Sequence, residues 1–275
     1  MRQSRKILRE FKPDLVVGFG SFYTLPMLIA ATLAKIPLIL HEQNAIVGKV
    51  NRFFSRFAIL TAITFPESAA SISGKVVEAL YPLRKKNEAI NPWDYFQLDP
   101  NKRTLLVFGG SQGARALNDL FLESIEKIQT PFQVLHLAGK ADCFEKAQTF
   151  YHSLNVPHTL KEFDPKIDLA LQIADLAITR AGAGTIAELI DSETPAILIP
   201  FPYAAENHQV DNSNHFVDQV GGGVIRLEKE LTGQKLANTI NTLIQGDLNI
   251  QKERIKKYKR ERSVKELSQI ILETL

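Results

Sequence analysis

The sequence has little cysteine, little tryptophan and no long hydrophobic segment. Its 275 residues include one cysteine, Cys143, and one tryptophan. A single cysteine excludes a disulfide framework and is typical of a reducing compartment. The longest apolar stretch, residues 25–34, is about half the length that a membrane span needs. A signal peptide contains an apolar segment, whereas residues 1–11 are basic and polar. We therefore expect a soluble protein, or one that is peripheral to a membrane at most.

The chain also lacks a large net charge, and it has no sequence pattern that is typical of a metal site. The net charge of +3 is too small to indicate a nucleic-acid partner. The basic run at residues 251–262 is better interpreted as a solvated helix face, from a helix that we expect to return to the N-terminal domain. There is no Asp-x-Asp motif of the kind that holds a cation against a nucleotide sugar, and no cysteine–histidine cluster for zinc. We expect no nucleic acid, no cofactor and no essential metal.

What is present is a pair of glycine-rich turns between a strand and a helix, at residues 104–118 and 175–190. Glycine allows the backbone to approach a ligand closely, and the following helix directs its unpaired N–H groups and the positive end of its dipole at the same place. Such a turn binds a diphosphate without a metal. Two of them indicate one nucleotide held from two sides.

Apolar strand patterns alternate with helical patterns along the chain, which is typical of parallel sheets covered on both faces. Both glycine turns then fall at carboxyl ends of strands, where such sheets bind ligands. A polar stretch at residues 81–100 marks a domain boundary near Arg84. The predicted strands are 14–17, 36–40, 59–64, 104–108, 132–137, 159–163, 175–179 and 196–200, and the predicted helices are 26–35, 114–128, 141–153, 185–191 and 232–245.

Four motifs in this order carry a family resemblance: HEQNAIVGKVNR (41–52), FGGSQGARALN (108–118), RAGAGTIAEL (180–189) and PFPYAAENHQVDN (200–212). Together they resemble the bacterial MurG family, which transfers N-acetylglucosamine from UDP to a lipid-linked muramyl-pentapeptide. The resemblance implies an α/β fold of the GT-B type, with two Rossmann-like domains. It implies a partial N-terminal acceptor domain (1–83), a UDP-sugar domain (84–255) and a C-terminal helix (256–275) that packs back on the first domain.

The resemblance also implies a donor site. Ser111 lies at the diphosphate, or alternatively is an ordinary helix-terminal serine. A segment of six residues wraps uracil and ribose, and its glutamate accepts hydrogen bonds from the ribose hydroxyls. Thr185 and Glu188 also fit a capping box, and both roles can coexist. The six residues are Ala183, Gly184, Thr185, Ile186, Ala187 and Glu188.

Four further positions are carried over for the donor. Gln209 matches a glutamine on the donor-sugar hydroxyls, with Asn212 on the same helical face; the alternative for both is a solvated polar face. Arg84 matches an arginine that offsets charge on the departing UDP, or else is a surface arginine of little energetic value. Asp164 stands where the family has an aliphatic residue whose backbone contacts uracil.

In the N-terminal part, Asn44 is expected to contact the donor or its acceptor. His41 and Glu42 are candidate acid–base groups, although a histidine satisfied by core hydrogen bonds is an equal alternative. The segment 18–21 resembles a glycine-rich acceptor loop, with Ser21 in place of a second glycine; its alternative is a tight structural turn.

The start of the sequence carries a further expectation. We count about three strands before the boundary, fewer than doubly wound domains have. The family's glycine-rich loop with its proposed catalytic histidine has no counterpart after Met1. Inverting transfer needs a group to accept the proton of the attacking hydroxyl, so we expect detectable UDP binding with weak or no turnover. A non-catalytic or truncated UDP-sugar-binding subunit and a GT-B UDP-N-acetylglucosamine epimerase remain alternatives.

The implied partners are UDP-N-acetylglucosamine, the undecaprenyl-linked muramyl-pentapeptide and an anionic membrane at the cytoplasmic face of the inner membrane. Basic and aromatic residues fit such a peripheral contact, at about 1 kcal/mol per surface cation. The alternative places the phenylalanines in a core and the basic residues in water. The residues are Arg2, Arg5, Arg9, Lys49, Arg52, Arg56, Phe53, Phe54 and Phe57.

Overall fold

The computed structural model describes residues 1–84, 89–110 and 114–275. The chain divides into two compact units, Met1–Pro82 with Ser263–Leu275, and Leu83–Arg262. The second boundary lies after residue 262, whereas the sequence predicts 255. The reason is that a single helix runs unbroken from Leu248 to Glu261 and belongs to the second unit.

The strands and helices follow in chain order. The strands are β1 (Val16–Gly18), β2 (Leu38–Glu42), β3 (Leu60–Ile63), β4 (Val76–Leu80), β5 (Thr104–Phe108), β6 (Gln133–Leu137), β7 (His158–Lys161), β8 (Leu176–Thr179), β9 (Ala196–Leu198), β10 (Gly223–Ile225) and β11 (Lys265–Glu266). The α-helices are α1 (Arg2–Phe11), α2 (Leu25–Leu33), α3 (Lys49–Phe54), α4 (Pro92–Phe96), α5 (Arg115–Ser124), α6 (Ala141–His152), α7 (Ile167–Ile173), α8 (Ala183–Ser192), α9 (His208–Asn214), α10 (Gly233–Gln245), α11 (Leu248–Glu261) and α12 (Leu267–Thr274).

The first unit contains a five-stranded parallel sheet in the order β1-β2-β3-β4-β11. The expectation of about three strands before the boundary is wrong, because β4 is a fourth and β11 returns from the C-terminus to pair with it. The two residues of β11 are charged and exposed, so they carry no hydrophobic signal. The strand is held there because Leu267 and Ile270 of α12 pack against Ile39 and Ala79.

The second unit contains a six-stranded parallel sheet in the order β10-β9-β8-β5-β6-β7. The chain starts at β5 in the middle, builds outward to β7, and then restarts at β8 on the other side. This is the strand order of dinucleotide-binding domains, and its ligand crevice lies beyond the carboxyl ends of the two strands at which the order reverses. Those strands are β5 and β8, and the two glycine turns follow them directly.

The basic segment at residues 251–262 belongs to the second unit. It forms most of α11, which packs on α8 within the second unit. Nζ of Lys259 donates to the carbonyl of Asp191 at 2.7 Å and to the carboxylate of Glu193 at 2.9 Å. The helix that packs on the first sheet is α12, which lies within the predicted C-terminal segment 256–275.

Candidate functional site

The candidate site begins at the two glycine turns on either side of the switch point. The first turn leaves β5 at Phe108 and continues through Gly110, whose φ of 76° is in the left-handed region that favours glycine. Ser111 lies outside the described residues. The helix α5 follows, starting at Arg115.

The second turn is described completely. Gly182 is the N-cap of α8, with φ −66° and ψ 150°, and no side chain caps the helix. The amide of Ile186 donates to the carbonyl of Gly182 at 2.9 Å, so the N–H groups of Ala183, Gly184 and Thr185 come before the first intrahelical bond. No acceptor for them is found among the described residues. They form a set of backbone donors at a positive helix end.

The capping-box interpretation of Thr185 and Glu188 is wrong. A capping box needs its threonine at the N-cap, whereas the helix starts two residues before Thr185. The sequence pattern led to the wrong helix start because the N-cap of α8 is Gly182, which has no side chain that could mark the position. Ile186 is buried in the core, and Gly184, Thr185, Ala187 and Glu188 are partly exposed.

Gln209 and Asn212 of α9 are tied to this turn. Oε1 of Gln209 accepts hydrogen bonds from the amides of Ala181 at 3.2 Å and Phe201 at 2.9 Å. Nδ2 of Asn212 donates to the carbonyl of Ala181 at 3.1 Å, and Asn212 is fully buried. The alternative of a solvated polar face is therefore wrong for both residues.

The orientation of the Gln209 amide follows from these contacts. Backbone N–H groups donate only to the carbonyl oxygen, so the two bonds fix which end of the side chain is oxygen. The NH₂ group is then left to donate. Gln209 thus presents hydrogen-bond donors at the carboxyl ends of β8 and β9, which suits a hydroxyl-bearing ligand.

The pKa of the Glu188 carboxyl group is strongly raised. Its pKa is raised to about 7, chiefly by burial and also by the nearby charge of Asp168, while the charge of Arg84 opposes the rise. The carboxyl is therefore about half ionised at neutral pH and lies within electrostatic reach of Arg84. Perturbed acids of this kind concentrate at functional sites, although structural groups also show them.

Asp164 is buried in the loop three residues after β7 and takes part in a local cluster of hydrogen bonds. Its carboxylate accepts from Nζ of Lys161 at 2.7 Å, the amide of Lys166 at 2.9 Å and the hydroxyl of Tyr95 at 3.1 Å. Burial opposes ionisation, but the hydrogen bonds from Lys161 and Lys166 hold its pKa below the usual range. The Asp164 side chain is therefore engaged inside the protein and is not available to a ligand.

In the first unit, Glu42 closes the loop that follows β2. Its Oε1 accepts from the amides of Gln43 at 2.9 Å and Asn44 at 3.1 Å. Its Oε2 accepts from the amide of Gly48 at 3.0 Å and from Nδ2 of Asn51 at 2.9 Å. With donors on both oxygens, this buried carboxylate positions the loop that carries Asn44.

His41 is fully buried beside Glu42. Its Nε2 is 3.2 Å from the hydroxyl of Thr64, while its Nδ1 has no hydrogen-bond partner among the described residues. Burial lowers the pKa of His41 to about 4, so the ring is neutral at physiological pH. Phe19 packs edge-on against it, with 5.6 Å between the ring centroids.

The segment 18–21 connects the end of β1 to a short 3₁₀ helix, Phe22–Thr24, whose N-cap is Ser21. The hydroxyl of Ser21 accepts from the amide of Tyr23 at 3.1 Å, and the side chain of Thr24 bonds back to Ser21 as a capping box. Gly20 has φ 61°, and a Cβ there would collide with the amide group of Asn51. Ser21 is therefore used for local structure, and the exposed rings of Phe22 and Tyr23 extend beyond it.

Comparison with known proteins assigns the chain to a family. The model for the glycosyltransferase family 28 C-terminal domain matches residues 104–270, and that for the N-terminal domain matches residues 1–63. A Protochlamydia amoebophila protein named UDP-N-acetylglucosamine–N-acetylmuramyl-(pentapeptide) pyrophosphoryl-undecaprenol N-acetylglucosamine transferase is 39% identical over 99% of this chain and 74% of its own length. The chain belongs to the MurG family of hexosyltransferases.

Further relatives agree with this assignment. A protein of the same name from Chlamydia trachomatis serovar L2 is 37% identical over 85% of this chain and 65% of its own length. The crystal structure of Acinetobacter baumannii MurG superposes with a TM-score of 0.79 at 26% identity, over 98% of this chain and 76% of that one. The chain thus spans about two thirds to three quarters of its MurG relatives. The predicted family and the predicted GT-B fold class are both confirmed.

The basic and aromatic residues proposed for membrane contact differ in their exposure in the structure. The cations of α1 and α3 that the sequence singled out are exposed. Phe53 and Phe57 are 51% and 49% exposed, whereas Phe54 is buried against Leu28 and Val50. Within the described residues, none of the helices has the length and apolar character to span a bilayer, and no group of three or more metal-binding side chains occurs.

Among the residues predicted from the sequence, the structure brings Gln209, Asn212 and the start of α8 together around Ala181. It also brings Arg84 within electrostatic reach of Glu188. One residue of this site was missed: Arg180, whose side chain lies among the ends of three strands. Its position directly after β8 was the available signal, but nothing in the sequence indicates where its side chain points.

Proposed function

We propose that this chain transfers N-acetylglucosamine, with inversion, from UDP-N-acetylglucosamine to N-acetylmuramyl-pentapeptide pyrophosphoryl-undecaprenol, converting lipid I to lipid II. The observation that carries the proposal is the pairing of both glycine turns with β5 and β8 at the switch point of the second sheet. The names of the relatives at 36–39% identity support the same reaction.

The geometry of the second unit supports a donor site in that unit. The first glycine turn, including Ser111, receives the diphosphate, since main-chain amides and the dipole of a following helix favour an anion. Ala183–Glu188 surrounds uracil and ribose, with Glu188 accepting from the ribose hydroxyls. The backbone at Asp164 reads the uracil edge, and the NH₂ group of Gln209 donates to the sugar. Arg84 offsets the charge on departing UDP.

In the reaction, the acceptor hydroxyl attacks the anomeric carbon while the bond to the UDP oxygen breaks, and a base takes the hydroxyl proton. Electrostatic stabilisation of the leaving diphosphate is supplied by the helix ends and Arg84. Glu42 and His41 are not assigned the role of base. The first has donors on both carboxylate oxygens, and the second is fully buried. Their role is to shape the loop that presents Asn44 to the substrates.

We further propose a peripheral position on the cytoplasmic face of the inner membrane, since the acceptor is a lipid. The exposed cations of α1 and the exposed rings of Phe53 and Phe57 are suited to an anionic interface. Flotation with anionic and with neutral vesicles tests this, and equal binding to both would contradict the electrostatic part.

The donor proposal is tested by calorimetric titration with UDP at pH 8, where Glu188 is mostly ionised. Glu188→Gln is expected to weaken UDP binding by about 10- to 100-fold, because hydrogen bonds to a charged group are lost. Glu193→Gln, at the opposite end of α8, is the matched control. No binding of UDP by the unchanged protein would refute the proposal. Product analysis with and without the lipid acceptor then separates transfer from epimerisation.

A further inference from the structure

Arg180 is a buried arginine that stands directly before the second glycine turn. Only 6% of its surface is exposed. Its Nη1 donates to the carbonyls of Ile199 at 3.0 Å and Pro200 at 3.3 Å. Its Nη2 pairs with the carboxylate of Glu228 at 2.5 Å. Three hydrogen bonds of the guanidinium therefore go to groups inside the protein, which distinguishes it from an arginine that faces a phosphate with its whole fork.

These contacts join the ends of three neighbouring strands. Arg180 follows β8, Ile199 and Pro200 follow β9, and Glu228 lies shortly after β10. A planar fork with fixed N–H directions can hold two carbonyls and a carboxylate at once, which the single ammonium of a lysine cannot do with the same geometry. The pair is mostly buried, since the Glu228 side chain is 22% exposed.

The backbone that Arg180 holds is the backbone that orients Gln209. The two amides that donate to Oε1 of Gln209 belong to Ala181 and Phe201. Ala181 is the residue after Arg180, and Phe201 is the residue after Pro200. The guanidinium also lies 5.5 Å from the centre of the Phe201 ring. A displacement of either segment would therefore turn or release the Gln209 amide.

We propose that Arg180 is a positioning residue that determines selectivity for the donor sugar. By holding the ends of β8 and β9 together, it keeps the Gln209 amide fixed with its NH₂ group toward the ligand. Arg180 acts through Gln209 and does not touch the donor. This inference rests on the proposed function, because it takes Gln209 as the residue that meets the sugar.

The test compares two ligands, UDP and UDP-N-acetylglucosamine, by calorimetric titration. Arg180→Lys is expected to weaken binding of UDP-N-acetylglucosamine by about 3- to 10-fold, the loss expected when one hydrogen bond is misaligned, and to leave UDP within about twofold. Arg226→Lys is the matched control, because Arg226 follows β10 but contacts Thr239 and its own strand. The control should change neither affinity.

A double-mutant cycle separates positioning from a general loss of structure. In a Gln209→Ala background, Arg180→Lys is expected to cause no further loss of sugar affinity, because the group through which it acts is gone. Removing one partner of a buried ion pair is often destabilising, whereas replacing both with apolar residues is tolerated better. The variant Arg180→Met/Glu228→Leu therefore provides a second, better-folding test, with the same selective loss expected.

The outcomes are distinct. An equal loss of UDP and UDP-N-acetylglucosamine affinity, additive effects of Arg180→Lys and Gln209→Ala, or unchanged affinities would each overturn the inference. If the unchanged protein binds UDP in those cases, the inference about Arg180 fails while the proposed donor site stands. If the unchanged protein binds neither ligand, the proposed function itself has failed.

Discussion

The pKa of Glu188 makes the stability of the second unit depend on pH in a defined direction. Burial raises this pKa from 4.5 in the unfolded chain to about 7 in the fold. Between these two values the folded state binds more protons than the unfolded state, so the Glu188 contribution to stability falls as pH rises through this window. A shift of this size corresponds to about 3.4 kcal/mol over the full window, and to about 2.5 kcal/mol between pH 5 and pH 8.

Replacing Glu188 with glutamine removes this titration while keeping a side chain of the same size. We compare the free energy of unfolding of Glu188→Gln with that of the unchanged protein at each pH. This difference is expected to be about 2.5 kcal/mol more favourable to the variant at pH 8 than at pH 5. The contributions of all other groups cancel in this double difference, provided that they do not couple to Glu188.

The single tryptophan, Trp93, lies in α4 of the second unit. Urea unfolding followed by tryptophan fluorescence at pH 5 and pH 8 therefore measures this unit directly. Glu193→Gln is the control, since its carboxylate pairs with Lys259 at the other end of α8. A difference near zero, or of opposite sign, would refute the assignment of a raised pKa to Glu188.

Three more predictions concern single positions. Gly20→Ala should destabilise the first unit by about 2 kcal/mol or more, because φ of 61° and the Asn51 amide both exclude a Cβ, measured by urea unfolding followed by circular dichroism. Gln209→Glu should keep its bonds to the two backbone amides but lose its donors, lowering affinity for UDP-N-acetylglucosamine more than for UDP in calorimetry. Burial lowers the pKa of His136 to about 3, so on acidification the unfolded state binds the proton before the folded state does. The unchanged protein should therefore lose about 2 kcal/mol of unfolding free energy between pH 7 and pH 5. His136→Gln should remove this loss, measured by urea unfolding followed by Trp93 fluorescence.

Each of these has a contrary result. Unchanged stability of Gly20→Ala would show that the turn relaxes around the new methyl group. Equal losses of both ligands in Gln209→Glu would place that side chain away from the sugar. An acid sensitivity of His136→Gln equal to that of the unchanged protein would mean that the neutral ring, between Tyr151 and Asn118, does not control the pH response.

The sequence by itself determined the fold class, the family and the positions of the glycine turns. Buried parallel strands are continuous apolar runs, and glycine marks the places where the backbone must bend, so both are local properties of the chain. These patterns predict α/β domains with parallel sheets, whereas the GT-B class and the MurG family were predicted from the resemblance of four ordered sequence motifs. The two-residue β11 was not, since its pairing depends on packing of α12 and not on its own residues.

Only the tertiary structure decided what most site side chains do. Gln209 and Ala181 are 28 residues apart, and the bond between them exists because β8 and β9 end side by side. In the same way, the donors that occupy Glu42 come from a loop and from α3. Hydrogen-bond partners, burial and the pKa values that follow from them depend on which strand ends become neighbours, and no local pattern of residues contains that information.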